Sequence, residues 1–281
     1  MDMDFDARVI LGDNLSILES IPDSVADLIY IDPPFNTGKV QTRSQLKIER
    51  SEDGDRIGFK GQRYTTEVVG TKAFNDNFDD FTAFILPRLI EGYRVLTPTG
   101  SFYFHIDYRE VHYCKILLDQ IFGRENFLNE IIWAYDYGGR SKNKWPAKHD
   151  NILVYVKDLK NYTFNFEEIG RIPYMAPGLV GDKKAEKGKL PTDTWWHTIV
   201  SPTGKEKTGY PTQKPLGIMR RIIQASSNPG DLVVDYFAGS GTTGVAAMEL
   251  KRRFLLIDNN REAIEVMKDR FSGNNVEFLE K

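Results

Sequence analysis

The final fifty residues leave this chain few folds to choose from. Leu232 to Tyr236 reads as a short apolar strand, Thr242 to about Leu250 as a helix, Phe254 to Ile257 as a second strand and Glu262 to Phe271 as an amphipathic helix. Strands separated by whole helices cannot pair as hairpins, so they lie parallel with the helices as crossovers. The first half repeats the pattern. Arg8 to Leu11 is a strand, followed by a helix carrying Leu15, Leu18 and Ile21 behind a cap at Asp13 or Asn14. Asp27 to Tyr30 is a buried strand. An amphipathic helix then runs from Asp79 or Asp80 to Leu96, with Pro87 as an expected kink. Ser101 to Ile106 and Arg109 to Phe122 supply a further strand and helix. Glu130 to Tyr135 and Asn151 to Val156, joined by a basic link, predict an antiparallel pair. The expectation is an α/β fold with a doubly wound, mainly parallel sheet.

Two stretches interrupt this order. Thr37 to Thr71 is polar, glycine-rich and without period, which predicts a mobile loop over residues 37–72. Asp158 to Tyr210 also lacks a sustained period and reads as a small insertion, so the expected division is 1–157, 158–210 and 211–281. With 281 residues, 41% of them hydrophobic and 27% charged, the chain has ample core. Cys114 is its one cysteine, which excludes a disulfide framework and a thiolate zinc site and points to a cytoplasmic protein. The acidic start Met1-Asp2-Met3-Asp4 is unlike a signal peptide, and no apolar run reaches membrane-spanning length. Net charge is −3, yet Asp136 to Pro215 holds 14 Lys or Arg against 9 Asp or Glu, and Thr37 to Lys72 holds 8 against 5. Such local excess suits phosphate, although solvated loops show it too.

The strand at Asp27 runs directly into Asp32-Pro33-Pro34-Phe35. Each proline fixes its own φ, lacks an N–H and holds the preceding residue extended. Asp32 and the neighbouring carbonyls are thereby stiff acceptors with no local donor. Phe35 adds a flat apolar face. The combination suits a planar group bearing an N–H donor, such as a nucleobase with an exocyclic amine, though a stiff turn alone would leave the same trace.

Near the other end, Asp235-Tyr236-Phe237-Ala238-Gly239-Ser240-Gly241-Thr242-Thr243-Gly244 joins a strand to a helix through a glycine turn. Gly239, Gly241 and Gly244 satisfy dinucleotide spacing, and Asp258 lies 19 residues past Gly239. A dehydrogenase is disfavoured because Asp235 would repel a pyrophosphate but attract an ammonium, and because too little chain follows for two nucleotide-binding halves. S-adenosylmethionine has the matching parts: an amino-acid end for Asp235 and the turn, and ribose hydroxyls for Asp258.

Together the two motifs resemble those of the amino-group DNA methyltransferases, in which Asp-Pro-Pro-Tyr/Phe is catalytic and Phe-x-Gly-x-Gly binds cofactor. Their order here, catalytic first, is similar to the β class of that family, a circularly permuted S-adenosylmethionine-dependent methyltransferase fold. Gly100 to Asp107, Phe122 to Phe127, Lys148 to Leu153 and Tyr210 to Pro215 also resemble stretches of type III modification subunits and their solitary relatives. Phe35 replaces the commoner tyrosine, keeping the stacking face without the hydroxyl. The large recognition segment of type III subunits is missing, and 158–210 is expected to serve as a small target-recognition region.

The resemblance implies methyl transfer to adenine N6 of a base flipped out of double-stranded DNA, with cytosine N4 as the alternative; enzymes of that second type more often carry Ser at the position of Asp32. A noncatalytic DNA-binding subunit is the reading from a different class. Asp32, Pro33, Pro34 and Phe35 would hold the base. Asp235, Phe237, Ala238, Gly239, Ser240, Gly241, Thr242 and Asp258 would form the cofactor site, completed by Asp13, Thr212, Gln213 and Lys214, the lysine facing the methionine carboxylate; Asp13 is equally readable as a plain helix cap. Candidates for phosphate contact are Asn36, Lys39, Arg140, Lys142, Lys144, Lys148, Lys183 and Lys184. Association with the nucleoid, a homodimer and a cognate restriction subunit also accord with the resemblance. His105, His112, His149 and His197 lack ligand-like spacing, so no metal is expected, and each reads as an ordinary core or surface histidine. Trp195 and Trp196 read as core or interface residues.

Overall fold

The computed structural model describes residues 1–35, 39–50, 56–57, 63–76, 80–201 and 204–281, with the backbone alone for 39–76. In chain order the elements are β1 (Ala7–Leu11), α1 (Asn14–Glu19), β2 (Ala26–Ile31), β3 (Lys39–Arg50), β4 (Arg56–Ile57), β5 (Arg63–Asp76), α2 (Phe81–Val95), β6 (Leu96–Ile106) and α3 (Val111–Phe122). There follow β7 (Phe127–Ala134), β8 (His149–Val156), α4 (Asp182–Lys187), β9 (Thr194–Trp196), α5 (Leu216–Ser226), β10 (Leu232–Asp235), α6 (Thr242–Glu249), β11 (Arg253–Asp258), α7 (Arg261–Arg270) and β12 (Glu277–Glu280). Two compact units result, one from 1–33 with 80–281 and one from 34–79.

The larger unit is built on a nine-stranded sheet in the order β12-β1-β11-β10-β2-β6-β8-β7-β9. From β12 to β6 every pairing is parallel, while β8 runs antiparallel to both β6 and β7. Alternation along the strands sends side chains to two helix layers. On β6, Tyr103 turns toward α5, where its hydroxyl meets the Ser226 hydroxyl at 2.8 Å, whereas Phe102 turns the other way and lies 5.3 Å from Phe122 of α3. The inner parallel strands are therefore largely apolar on both faces, as their Val, Ile, Leu, Tyr and Phe content requires.

One place in the sheet is special. After β10 the chain crosses through α6 to β11 on one side, and after β2 it crosses through α2 to β6 on the other. The adjacent carboxyl ends of β10 and β2 thus flank a switch point, where a doubly wound sheet opens a crevice.

One expectation needs correction. Residues 37–72 are not without secondary structure: β3, β5 and β4 form an antiparallel sheet in which β3 pairs with β5 from Lys39 opposite Asp76 to Arg50 opposite Tyr64. These strands escape hydropathy reading because their residues are mostly polar, and the pairing joins positions far apart in sequence. The second compact unit is accordingly 34–79. Residues 158–210, expected as a small insertion, belong to the larger unit and are attached through β9, which lies parallel to β7 with Ile132 opposite Thr194.

Candidate active site

Both motifs occupy the ends of neighbouring parallel strands. Val233 and Val234 of β10 pair with Leu28 and Ile29 of β2, which sets Asp235 and Asp32 at the same edge of the sheet.

On the β10 side the glycine turn is held from beneath. Gly239 and Gly241 have φ of +51° and +73°, values that favour glycine. A Cβ at Gly241 would also sit 2.6 Å from Cγ of Met267. The Gly239 N–H donates to Asp258 Oδ2 at 2.7 Å, and the Ala238 N–H to the Ile257 carbonyl at 3.1 Å. Arg270 reaches up from α7 and donates to the Ser240 carbonyl at 2.8 Å and the Thr242 hydroxyl at 3.0 Å. Gly241 is the N-cap of α6 with no side-chain cap, which leaves the first N–H groups of the helix without a capping side chain.

Asp235 is 2% exposed. Its Oδ2 accepts from the Thr243 hydroxyl at 2.6 Å and its Oδ1 from the Phe237 N–H at 3.0 Å. Burial pushes its carboxyl up to about 7; the hydrogen bonds from Thr243 and Phe237 oppose this, and the negative charges of Asp32 and Asp258 add to it. Burial likewise lifts Asp258 to about 6 against its backbone hydrogen bonds. The Asp235 carboxyl, repelled by Asp32 and Asp258, and the N-terminus of α6 together suit a ligand that carries both a cationic centre and a carboxylate. The cofactor expected from sequence has both.

On the β2 side, Asp32 follows the last strand residue and its side chain is 14% exposed. Oδ2 accepts from the Lys214 ammonium, which brings the segment before α5 onto Asp32. Oδ1 is buried and has no hydrogen-bond partner among the described residues. A buried acceptor left open is costly, and such groups gather where a ligand supplies the missing donor.

Behind Asp32 lies a polar chain that sequence reasoning missed. His105 of β6 is fully buried, with Nδ1 2.7 Å from the Tyr30 hydroxyl and 3.8 Å from Asp32 Oδ1. Its Nε2 is 3.2 Å from Asp150 Oδ2, and Asp150 Oδ1 accepts from the Tyr135 hydroxyl at 3.0 Å. Burial raises the Asp150 carboxyl, but the bond and charge of His105, the charge of Lys214 and the Tyr135 hydroxyl outweigh it and hold Asp150 low. A histidine inside the apolar run Phe102 to Ile106 was the signal available; its partners come from other strands and leave no local trace.

Other expected residues are placed differently. Asp13 caps α1, accepting from the Ser16 N–H at 3.1 Å, and pairs with Arg88 at 3.2 Å. Gln213 spends its amide internally: its oxygen accepts from the Thr208 N–H and hydroxyl, both at 2.9 Å, and its nitrogen donates to the Glu206 carbonyl at 2.7 Å. Thr212 is exposed and Phe237 half-buried, edge-on to Phe84 at 6.1 Å. Pro33 ends the larger unit; Pro34 and Phe35 open the smaller one. Lys148 is a staple, donating to the carbonyls of Tyr137 at 2.5 Å and Gly139 at 2.9 Å, and Arg140 pairs with Asp136 at 2.7 Å. Lys142 and Lys144 are exposed in the β7–β8 link, and Lys183 and Lys184 are exposed on α4. Asn36 lies outside the described residues, and Lys39 is described by its backbone in β3. Trp195 is buried, with its indole N–H on the Thr192 carbonyl at 2.7 Å, and Trp196 is 77% exposed.

An acceptor motif and a glycine cofactor turn at one switch point define an amino-group methyltransferase, and the chain belongs to the DNA methylase family, which its residues 26–269 match. It is 32% identical to type II methyltransferase M.HpaI of Haemophilus parainfluenzae over 95% of this chain and 75% of that one. It is 31% identical to DNA adenine methyltransferase YhdJ of Escherichia coli (strain K12), over 92% and 80%. Its fold is similar to that of the M1.HpyAVI–SAM complex, with a TM-score of 0.59 at 20% identity over 94% and 98% of the two chains. Among the described residues no helix is long and apolar enough to cross a membrane.

Proposed function

We propose that this chain transfers a methyl group from S-adenosylmethionine to the N6 amine of adenine in double-stranded DNA. The observation that carries the reading is the open, buried Oδ1 of Asp32 beside the glycine turn. An adenine amine is a weak nucleophile because its lone pair is shared with the ring. Hydrogen bonds from its N–H groups to Asp32 Oδ1 and the Pro33 carbonyl localise that pair on nitrogen and aim it. Bound S-adenosylmethionine supplies an electrophilic methyl on sulfonium. The turn residues Phe237 to Thr242, with Asp235 and Asp258, hold the donor, while Lys214 fixes Asp32 through the ion pair. Rate enhancement comes from positioning and electrostatics, with no covalent enzyme intermediate. A base in a duplex must rotate out to reach this edge. Exposed Lys142, Lys144, Lys183 and Lys184 contact phosphates, and 158–210 contributes to target choice.

Incubation with unmethylated DNA and methyl-labelled S-adenosylmethionine, followed by nucleoside analysis, tests this. Label in N6-methyladenine is expected. Label confined to N4-methylcytosine would overturn the choice of base, and no label with any DNA would favour a noncatalytic subunit.

A further inference from the structure

Methyl transfer leaves a proton to be placed. The N–C bond forms from the amine lone pair, the C–S bond breaks with its electrons passing to sulfur, and the amine nitrogen, now cationic, gives up one proton. Asp32 Oδ1 is the acceptor in contact with that amine under the function proposed above, on which this inference rests. The proton cannot remain there without disrupting the ion pair with Lys214.

We propose that His105 takes this proton from Asp32 and holds it as an imidazolium against Asp150. His105 Nδ1 is 3.8 Å from Asp32 Oδ1, within reach of a small side-chain adjustment, and in the Nε2–H tautomer the Tyr30 hydroxyl, 2.7 Å away, occupies its lone pair. Rotation of the hydroxyl proton about one C–O bond frees that lone pair. For Nδ1 to accept, the resting imidazole must carry its proton on Nε2, and Asp150 Oδ2 at 3.2 Å is the group that holds it there. Once protonated, His105 faces a carboxylate whose second oxygen is fixed by Tyr135 at 3.0 Å. Trp133 lies edge-on to the His105 ring at 5.5 Å. The far end of the chain is not sealed: Asp150 and Tyr135 line a cleft of about 290 Å³ with Asp107, Arg109, Ser141 and His149. His105 is thus a positioning and proton-holding residue that acts through Asp32, and methyl transfer is completed without a free base in the crevice.

Nitrogen-15 spectra of the histidines in the free protein test the geometry without turnover. The Nε2–H tautomer of His105 is expected, with its signal perturbed in Asp150→Asn; an Nδ1–H tautomer would overturn the proposal. Single-turnover transfer and separate affinities for DNA and S-adenosylmethionine test the role. His105→Gln and Asp150→Asn are expected to slow transfer by about 100-fold with both affinities within about threefold. A His105→Gln rate equal to the wild type, or a slowing accounted for by affinity, would refute it. If His105→Gln does not fold, Asp150→Asn and the wild-type tautomer still decide. Absence of transfer by the wild type would instead count against the proposed function, while the tautomer would still report on the relay.

Discussion

Asp32, Asp235 and Asp258 end three parallel strands of one sheet, yet they are equipped for different work. The oxygens of Asp235 accept from Thr243 and Phe237, and those of Asp258 accept from Gly239 and Asn260. These two carboxylates shape the turn. Asp32 has one oxygen on Lys214 and one with no hydrogen-bond partner among the described residues. A strand-end acid is thus assigned to scaffold or to chemistry by whether its acceptors are spent locally. The prolines after Asp32 ensure that they are not, since they offer no N–H in the positions from which Phe237 and Asn260 donate to theirs.

Substitutions can separate the two kinds of carboxylate. The largest effect is expected for Asp32→Ala, which removes the open acceptor and should lower single-turnover methyl transfer by about 1,000-fold or more. Gly241→Ala attacks the scaffold instead. Its Cβ would meet Met267 at a backbone angle that L-residues resist, so denaturant unfolding should show a loss of about 1–3 kcal/mol, with weaker cofactor binding by calorimetry.

A third effect concerns pH. Burial pushes the native Asp235 carboxyl up to about 7, against roughly 3.9 in the unfolded chain. Between these values the native state keeps a proton that the unfolded state has released. Its stabilising contribution is therefore complete below about pH 4 and is lost as pH rises through about 7. Asp235→Asn should flatten that slope, by roughly 2–4 kcal/mol at most, in melts taken from pH 4 to 8. The smallest effect is expected on the surface. Lys142→Ala with Lys144→Ala should weaken DNA binding across all sequences and reduce the salt slope by about one for each phosphate no longer neutralised, without altering cofactor affinity.

What could be read in the sequence followed from how local the cause was. β2, β10 and their motifs were legible because apolar runs, prolines and glycines act over a few residues. The strand order that brings Asp32 beside Asp235 was legible only as far as parallel strands imply a common edge. Three features were not. The pairing of β3 with β5 joins Lys39 to Asp76 through polar strands that carry no hydropathy signal. Gln213, read as a ligand, also bonds Thr208 and Glu206 in a loop whose path composition does not encode. His105 acquires Tyr30 from β2 and Asp150 from β8 only once three strands are side by side.

The division between scaffold and chemistry stands or falls on S-adenosylmethionine affinity and single-turnover transfer, measured together in Asp32→Ala and Asp235→Asn. Asp32→Ala is expected to keep cofactor affinity within about threefold and to transfer no methyl, while Asp235→Asn weakens the cofactor and still transfers what it binds. Transfer by Asp32→Ala at the wild-type rate, or failure of that variant alone to bind the cofactor, would contradict the division.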